Sequence, residues 1–216
     1  MGAPEHDLRK DARRNRAAIL DAAAHVFAEQ GTDVPLEEIA RAAGVGIATL
    51  YRRFPTRDAL VEATLEDTMR RYADRTDAAL ERAQTDPWGA LADYVQFICA
   101  QQAADPAFSD ALQAPLRGSA LFAEDHARAF RSSVRLIHKV KAAGVVRPDL
   151  DHSDLYLLTL SNGAVARVTG RSAPDAWRRV AGYFLDGFRA DDAPRPTLPP
   201  PDRGLRPSRS RSAPHG

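Results

Sequence analysis

Cysteine is nearly absent from this chain of 216 residues: Cys99 stands alone. A lone cysteine excludes an internal disulfide framework and any thiolate metal cluster. Long apolar runs are missing as well, since no stretch reaches 18 residues, and the N-terminus MGAPEHDLRKDARRNRAAIL carries charge where a secretory leader needs apolar residues. No membrane partner is therefore expected, and a cytoplasmic location is. The sequence has no Gly-rich phosphate-cradling loop, no Gly-x-Ser-x-Gly elbow and no His-Glu-x-x-His zinc pair. These gaps argue against an enzyme and leave no cofactor signature. Sustained alternation and β-branched clustering, the marks of strands, are also missing.

What is there is helical periodicity. An apolar fraction of 44% in a chain of this length supports a real core, either one large or two small domains. Apolar residues recur at a spacing near 3.6, so the chain is predicted to be all-α with about nine helices. Ile19, Ala22, Ala23, Val26 and Phe27 form one stripe, which predicts a first helix from about 10 to 30 stopped by Gly31. Pro35 suits the first turn of a second helix ended by Gly44, and a third is expected near 46–53, where Pro55 prevents its continuation. Thr56 is the predicted cap of a fourth helix running to about 83, and a fifth begins near Trp88. Four more are expected near 107–117, 120–143, 152–169 and 174–189.

The segment EEIARAAGVGIATLYRRFPTRDAL, residues 37–60, carries the functional signal. Two short helices joined this tightly need a glycine in the turn and small residues where the backbones approach, and Ala40, Ala43 and Gly44 supply them. Ile39, Val45, Leu50 and Phe54 are expected to pin the pair onto the first helix. Gly46, Ile47, Ala48, Thr49, Tyr51, Arg52 and Arg53 then lie on or near the outer face. Small residues at the front of the second helix let it sink into a major groove, while Tyr, Thr and Arg further along can reach phosphate oxygens. DNA is the partner this pattern fits. A second reading, a helical module whose hairpin binds protein, differs in having no sequence-selective DNA binding.

Residues 19–60, with AAGVGIATLYRRFPTRDAL at their centre, resemble the N-terminal DNA-binding domain of the tetracycline-repressor (TetR/AcrR) family of transcriptional regulators. The resemblance is strong over about residues 10–65, and the rest follows by helix count, length and the AAGVVRPD join before the last two helices. It implies a homodimer on a double-stranded DNA operator, a recognition helix at 46–53, and a helical C-terminal domain with a small-molecule pocket and the dimer interface. It further implies backbone-phosphate contacts for Tyr51 and Arg57. One departure concerns the second helix, which usually opens with a Thr that caps it and touches phosphate. Here Val34 and Leu36 stand at its start, and Glu37 and Glu38 suit the helix dipole but would repel phosphate. The basic arm Arg9, Lys10, Arg13, Arg14 and Arg16 can compensate.

The expected organisation is an arm and DNA-binding domain over 1–56, a ligand-binding and dimerisation domain over 57–190, and a disordered Pro/Arg-rich tail over 191–216. That tail has five Arg against one Asp in its last 22 residues. Trp88, Phe97, Phe108, Leu112, Phe122, His126, Phe130 and Ile137 are the candidates for lining the pocket. No metal is expected, because His126 beside Glu124 and Asp125 lacks a helix-spaced second histidine. Cys99 lies on the apolar stripe of its helix and is expected to be buried and inert. Leu155, Leu158, Val165, Trp177, Val180, Ala181, Phe184 and Phe188 give more apolar surface than one chain end needs, so they are the predicted half of a four-helix dimer interface.

Overall fold

A computed structural model describes residues 4–113, 119–170, 172–190 and 196–200, with side chains from residue 13 onward. Among them nine helices follow in order: α1 (Pro4–Gln30), α2 (Leu36–Ala42), α3 (Ile47–Arg53), α4 (Arg57–Arg82), α5 (Pro87–Ala104), α6 (Pro106–Gln113), α7 (Ala120–Ala142), α8 (His152–Thr169) and α9 (Ala176–Phe188). No strand forms among the described residues; Val146 and Arg189 make an isolated bridge. The first helix starts some six residues earlier than its apolar stripe predicts. Its opening residues 4–9 carry a single aliphatic side chain, Leu8, too little to signal a stripe.

Local chemistry sets the ends. Gly31 at φ 82° and Gly44 at φ 66° take the left-handed conformation that closes α1 and turns the chain between α2 and α3. Thr56 caps α4 by accepting from the Ala59 amide, and Ser119 does the same for Phe122 at the start of α7. Asp86 accepts from Gly89 N, with Pro87 in the first turn of α5. At α8 Asp151 and Asp154 form a reciprocal capping box. Each cap satisfies an amide the helix leaves open, worth about 1 kcal/mol.

The core is continuous along α4, with a smaller part at its start and a larger one beyond. Ile19, Ala23, Val26 and Phe27 of α1 close over Ile39, Ala40, Leu50 and Phe54, all buried, and Leu60, Val61 and Leu65 extend that core into α4. Further along, Met69 and Tyr72 join the larger core of α5 to α9. Outside it, Arg128 of α7 binds Asp74 (2.8 Å) and Asp77 (2.6 Å) of α4, as well as Asp125 on its own helix (2.9 Å). Where α5 crosses α8 the core is polar. Asn162 donates to the Cys99 carbonyl and to Gln102 Oε1, both at 3.1 Å, and Gln102 donates to the Thr159 carbonyl at 3.1 Å. Gly163 lets α6 come close to α8, because a Cβ there would lie 2.6 Å from both Gln113 Nε2 and Ser109 Oγ.

The expected tail falls mainly outside the described residues, at 191–195 and 201–216. Its described part, 196–200, is held: Leu198 N donates to Asp149 Oδ2 (2.8 Å) and the Pro196 carbonyl accepts from Arg147 (3.0 Å).

Candidate nucleic-acid interface and ligand pocket

The interface is built on α3. Leu50 is its buried anchor and Ile47 packs half-buried against the same core. With that side fixed, Ala48, Tyr51 and Arg52, spaced i, i+3, i+4, share the outer face, and Gly46 and Arg53 are exposed at either end. Tyr51 is 45% exposed. Arg52 Nη2 donates to Thr49 Oγ1 (3.2 Å), which holds the guanidinium along the helix. Exposed Arg13, Arg14 and Arg16 extend the basic surface along α1, with the Arg16 guanidinium 5.8 Å from the Phe54 ring centre. Glu38 at α2 is turned aside, accepting from Gln30 Nε2 (3.1 Å).

Arg57 has a structural role of its own. Its Nη1 donates to the carbonyls of Thr32 (2.6 Å) and Val34, so it ties the α1–α2 turn to α4. The same turn touches the second domain: Thr32 Oγ1 donates to Asp110 Oδ2 on α6 (3.1 Å), and Asp110 Oδ1 accepts from Arg167 on α8 (2.5 Å). One carboxylate thereby joins the helix-turn-helix to α8.

Between α4, α5, α7 and α8 lies a cavity of about 580 Å³, its open mouth included. Tyr72, Tyr94, Ile98, Leu112, His126, Phe130, Ser133, His152, Leu155, Tyr156, Leu158 and Thr159 line it. The two buried phenols meet at 2.8 Å, and burial raises both, Tyr94 well above the ordinary tyrosine range. Ser133 Oγ lies within hydrogen-bond reach of the Phe130 carbonyl (2.9 Å) and pairs with His152 Nε2 at 2.9 Å. Burial lowers both His126 and His152 below the usual histidine range. They are neutral at pH 7.

That lowering has a thermodynamic consequence. In the unfolded chain histidine titrates near about 6.5. Above that value neither state binds the protons, so the folded protein keeps its full stability; as pH falls through 6.5 the unfolded chain takes up protons the folded one refuses, and stability drops. Melting curves from pH 7.5 to 5.5 should show this loss, and the double variant His126→Gln, His152→Gln should flatten it. An equal loss in the variant would place its origin elsewhere.

Of the predicted pocket residues, Leu112, His126 and Phe130 line the cavity. Phe108, Phe122 and Ile137 are buried in the core around it. Trp88 lies away under Arg189, whose guanidinium is 4.9 Å from its ring, and Phe97 stands in a surface groove under Arg75 at 5.1 Å. Sequence reasoning missed Tyr72, Tyr94, Ser133, His152, Tyr156 and Thr159. Their spacing was a usable signal: His152, Leu155, Tyr156 and Thr159 fall at i, i+3, i+4, i+7, and His126, Phe130 and Ser133 at i, i+4, i+7.

The predicted dimer residues divide similarly. Leu155 and Leu158 face the cavity, and Trp177, Ala181 and Phe188 are buried in the protomer's own core, so these five offer no surface to a partner. Val165, Val180 and Phe184 are half-buried. The outward apolar side chains are Leu157 (36% exposed), Val168 (82%) and Tyr183 (65%). Cys99 is fully buried, with its thiol pushed up to about 12 by burial. It is inert at neutral pH.

Known proteins place this architecture. The family model of bacterial regulatory proteins, tetR family, matches residues 19–64, and the model of the SbtR-like transcriptional regulator C-terminal domain matches 86–190. The TetR transcriptional regulator SCO0520 from Streptomyces coelicolor is 33% identical, with 81% of this chain and 98% of that chain covered and a TM-score of 0.50. The chain belongs to the TetR family of transcriptional regulators. The HTH-type transcriptional repressor LfrR of Mycolicibacterium smegmatis is 46% identical over 70 residues, 32% of this chain and 34% of LfrR. The chain thus spans about a third of the length of the curated relatives it matches. FadR from Bacillus subtilis, solved in complex with stearoyl-CoA, shares the fold at a TM-score of 0.57 and 18% identity, over 80% of this chain and 99% of that chain.

Proposed function

We propose that the protein is a homodimeric repressor, acting in the cytoplasm, that a small molecule releases from a palindromic operator. The observation that carries this reading is the pairing, on one chain, of a helix-turn-helix whose α3 leaves Tyr51, Arg52 and Arg53 exposed with a largely apolar cavity in the second domain. That LfrR is a repressor supports it by similarity. Tyr51 and Arg53 serve phosphate oxygens in this account. Ala48 and Ile47 approach thymine methyl groups, and Thr49 and Arg52 reach base edges. Ligand shifts the population toward a spacing of the two α3 helices that no longer fits successive major grooves. A gel shift with DNA flanking the protein's own gene tests the reading: binding should survive a scrambled competitor, and binding no better than to scrambled duplex would refute it.

The route from cavity to DNA runs through α6 in this proposal. Leu112 lines the cavity and Asp110, two residues before it, holds Thr32. Asp110→Ala should weaken operator binding by roughly 2- to 30-fold although Asp110 is remote from α3, the range expected for a residue that biases a two-state element. Filter binding at fixed salt measures it. An unchanged affinity would remove Asp110 from the route.

A further inference from the structure

The lining of the cavity between α4, α5, α7 and α8 restricts what can bind there, and the restriction rests on that cavity being the effector site. No Lys, Arg, Asp or Glu is among its described lining residues. The carboxylates next in sequence to its two histidines are engaged elsewhere: Asp125, beside His126, by Arg128 at 2.9 Å, and Asp151, beside His152, as the cap that accepts from Ser153 N at 2.9 Å. A carboxylate, a phosphate or an ammonium entering would shed water and meet no counterion among the described lining residues, and an unpaired charge is the costliest group to bury. The aromatic faces of Tyr72, Tyr94, Phe130 and Tyr156 offer a cation about 0.5–2 kcal/mol, too little to offset that loss.

The polar groups differ in availability. The Tyr72 and Tyr94 hydroxyls bond to each other, and Ser133 and His152 are paired. Thr159 Oγ1 donates to the Tyr156 carbonyl (2.9 Å). His126 has no hydrogen-bond partner among the described residues; its ring stacks on Phe122 at 6.4 Å between centroids. A neutral imidazole facing the cavity carries one donor and one acceptor, which suits a hydroxyl or a carbonyl.

We propose that the effector is an uncharged compound of one or two fused rings bearing a hydroxyl or carbonyl, seated among Tyr72, Tyr94, Phe130 and Tyr156, with its oxygen held by His126. Ring faces fill the aromatic walls, while Ile98, Leu112 and Leu158 take the remaining apolar surface. The His126 ring lies beside Phe122 at the cavity wall, and a hydrogen bond to it separates the oxygenated compound from its bare hydrocarbon.

Four probes of one shape test this on the full chain by equilibrium dialysis at pH 7.5: 2-naphthol, 2-methylnaphthalene, 2-naphthoate and 2-naphthyltrimethylammonium. 2-Naphthol should bind about 3- to 10-fold more tightly than 2-methylnaphthalene, the range of one net hydrogen bond. It should exceed both charged probes by more than 100-fold. His126→Leu should bring 2-naphthol down to the level of the hydrocarbon, and His126→Gln, which keeps a donor and an acceptor, should restore most of the gap. The proposal fails if a charged probe binds as tightly as 2-naphthol, if no probe binds, or if the preference survives in a folded His126→Leu variant. Operator release is read separately. The predicted ranking without release would leave the ligand class standing and remove the regulatory reading of the cavity, whereas release by 2-naphthoate alone would keep the regulatory reading and overturn the class.

Discussion

Replacing Leu157 and Val168 with Arg should convert the proposed dimer to a folded monomer that loses its operator. Both side chains stand on one face of α8, eleven residues apart, in line with exposed Ser161 and Ala164, and neither contributes to the protomer's core. Two guanidinium groups there cost the monomer little, since exposed substitutions change stability by about 0.5 kcal/mol or less. In a dimer they would sit where two apolar helix faces meet, repelling their copies across the two-fold axis. Once monomeric, the chain offers one α3 to a two-part operator, and the lost effective concentration weakens binding by about 100- to 10,000-fold. Sedimentation and gel shift on the same sample read both halves. A contrasting variant, Phe188→Asp, should unfold the second domain, because Phe188 is buried against its own chain and stacks edge-on with Phe184 at 5.8 Å. A Leu157, Val168 double variant that remains dimeric would place the interface elsewhere.

Arg57→Ala should destabilise the DNA-binding domain by about 3 kcal/mol, since it removes charge-assisted hydrogen bonds to two carbonyls, each worth about 1.5 to 3. The α1–α2 turn then loses its tie to α4, α3 loses its fixed aim, and operator affinity falls by about 10- to 100-fold. Salt dependence separates this account from a phosphate contact. A lost phosphate contact flattens the slope of log affinity against log salt by about 0.9, whereas loss of a positioning residue leaves the slope unchanged. Thermal melting of the same variant should show the lost stability. An unaltered melt with a flattened slope would return Arg57 to the phosphate backbone.

These two residue sets mark where the sequence was readable. Ile39, Leu50 and Phe54 could be assigned to the small core because a short hairpin has one apolar side and the turn glycine fixes its direction. The outer face of α3 followed by subtraction. In α8 and α9 the pattern is ambiguous, as apolar residues fall on several faces of each helix. Leu155 and Leu158 look inward while Leu157 and Val168 look outward, and periodicity alone cannot say which face meets its own chain. Arg57 is ambiguous for a different reason: a guanidinium at a helix start suits a phosphate and a backbone carbonyl equally well, and only the path of the α1–α2 turn brings the carbonyls of Thr32 and Val34 within its reach. Tyr72 and Tyr94 sit on apolar stripes that predict core. Their hydroxyls become part of the cavity only when α4 is laid against α5.

The central claim is that two copies of α3 read one DNA site together. Selection of the full-length protein on a library of random duplexes tests it most directly, since it needs neither the operator nor the effector in advance. The account predicts an enriched inverted repeat whose half-site centres lie about 34–36 Å apart or a multiple of that, one face of the helix apiece. Enrichment of no motif, or of a single half-site without its inverted copy, would contradict it.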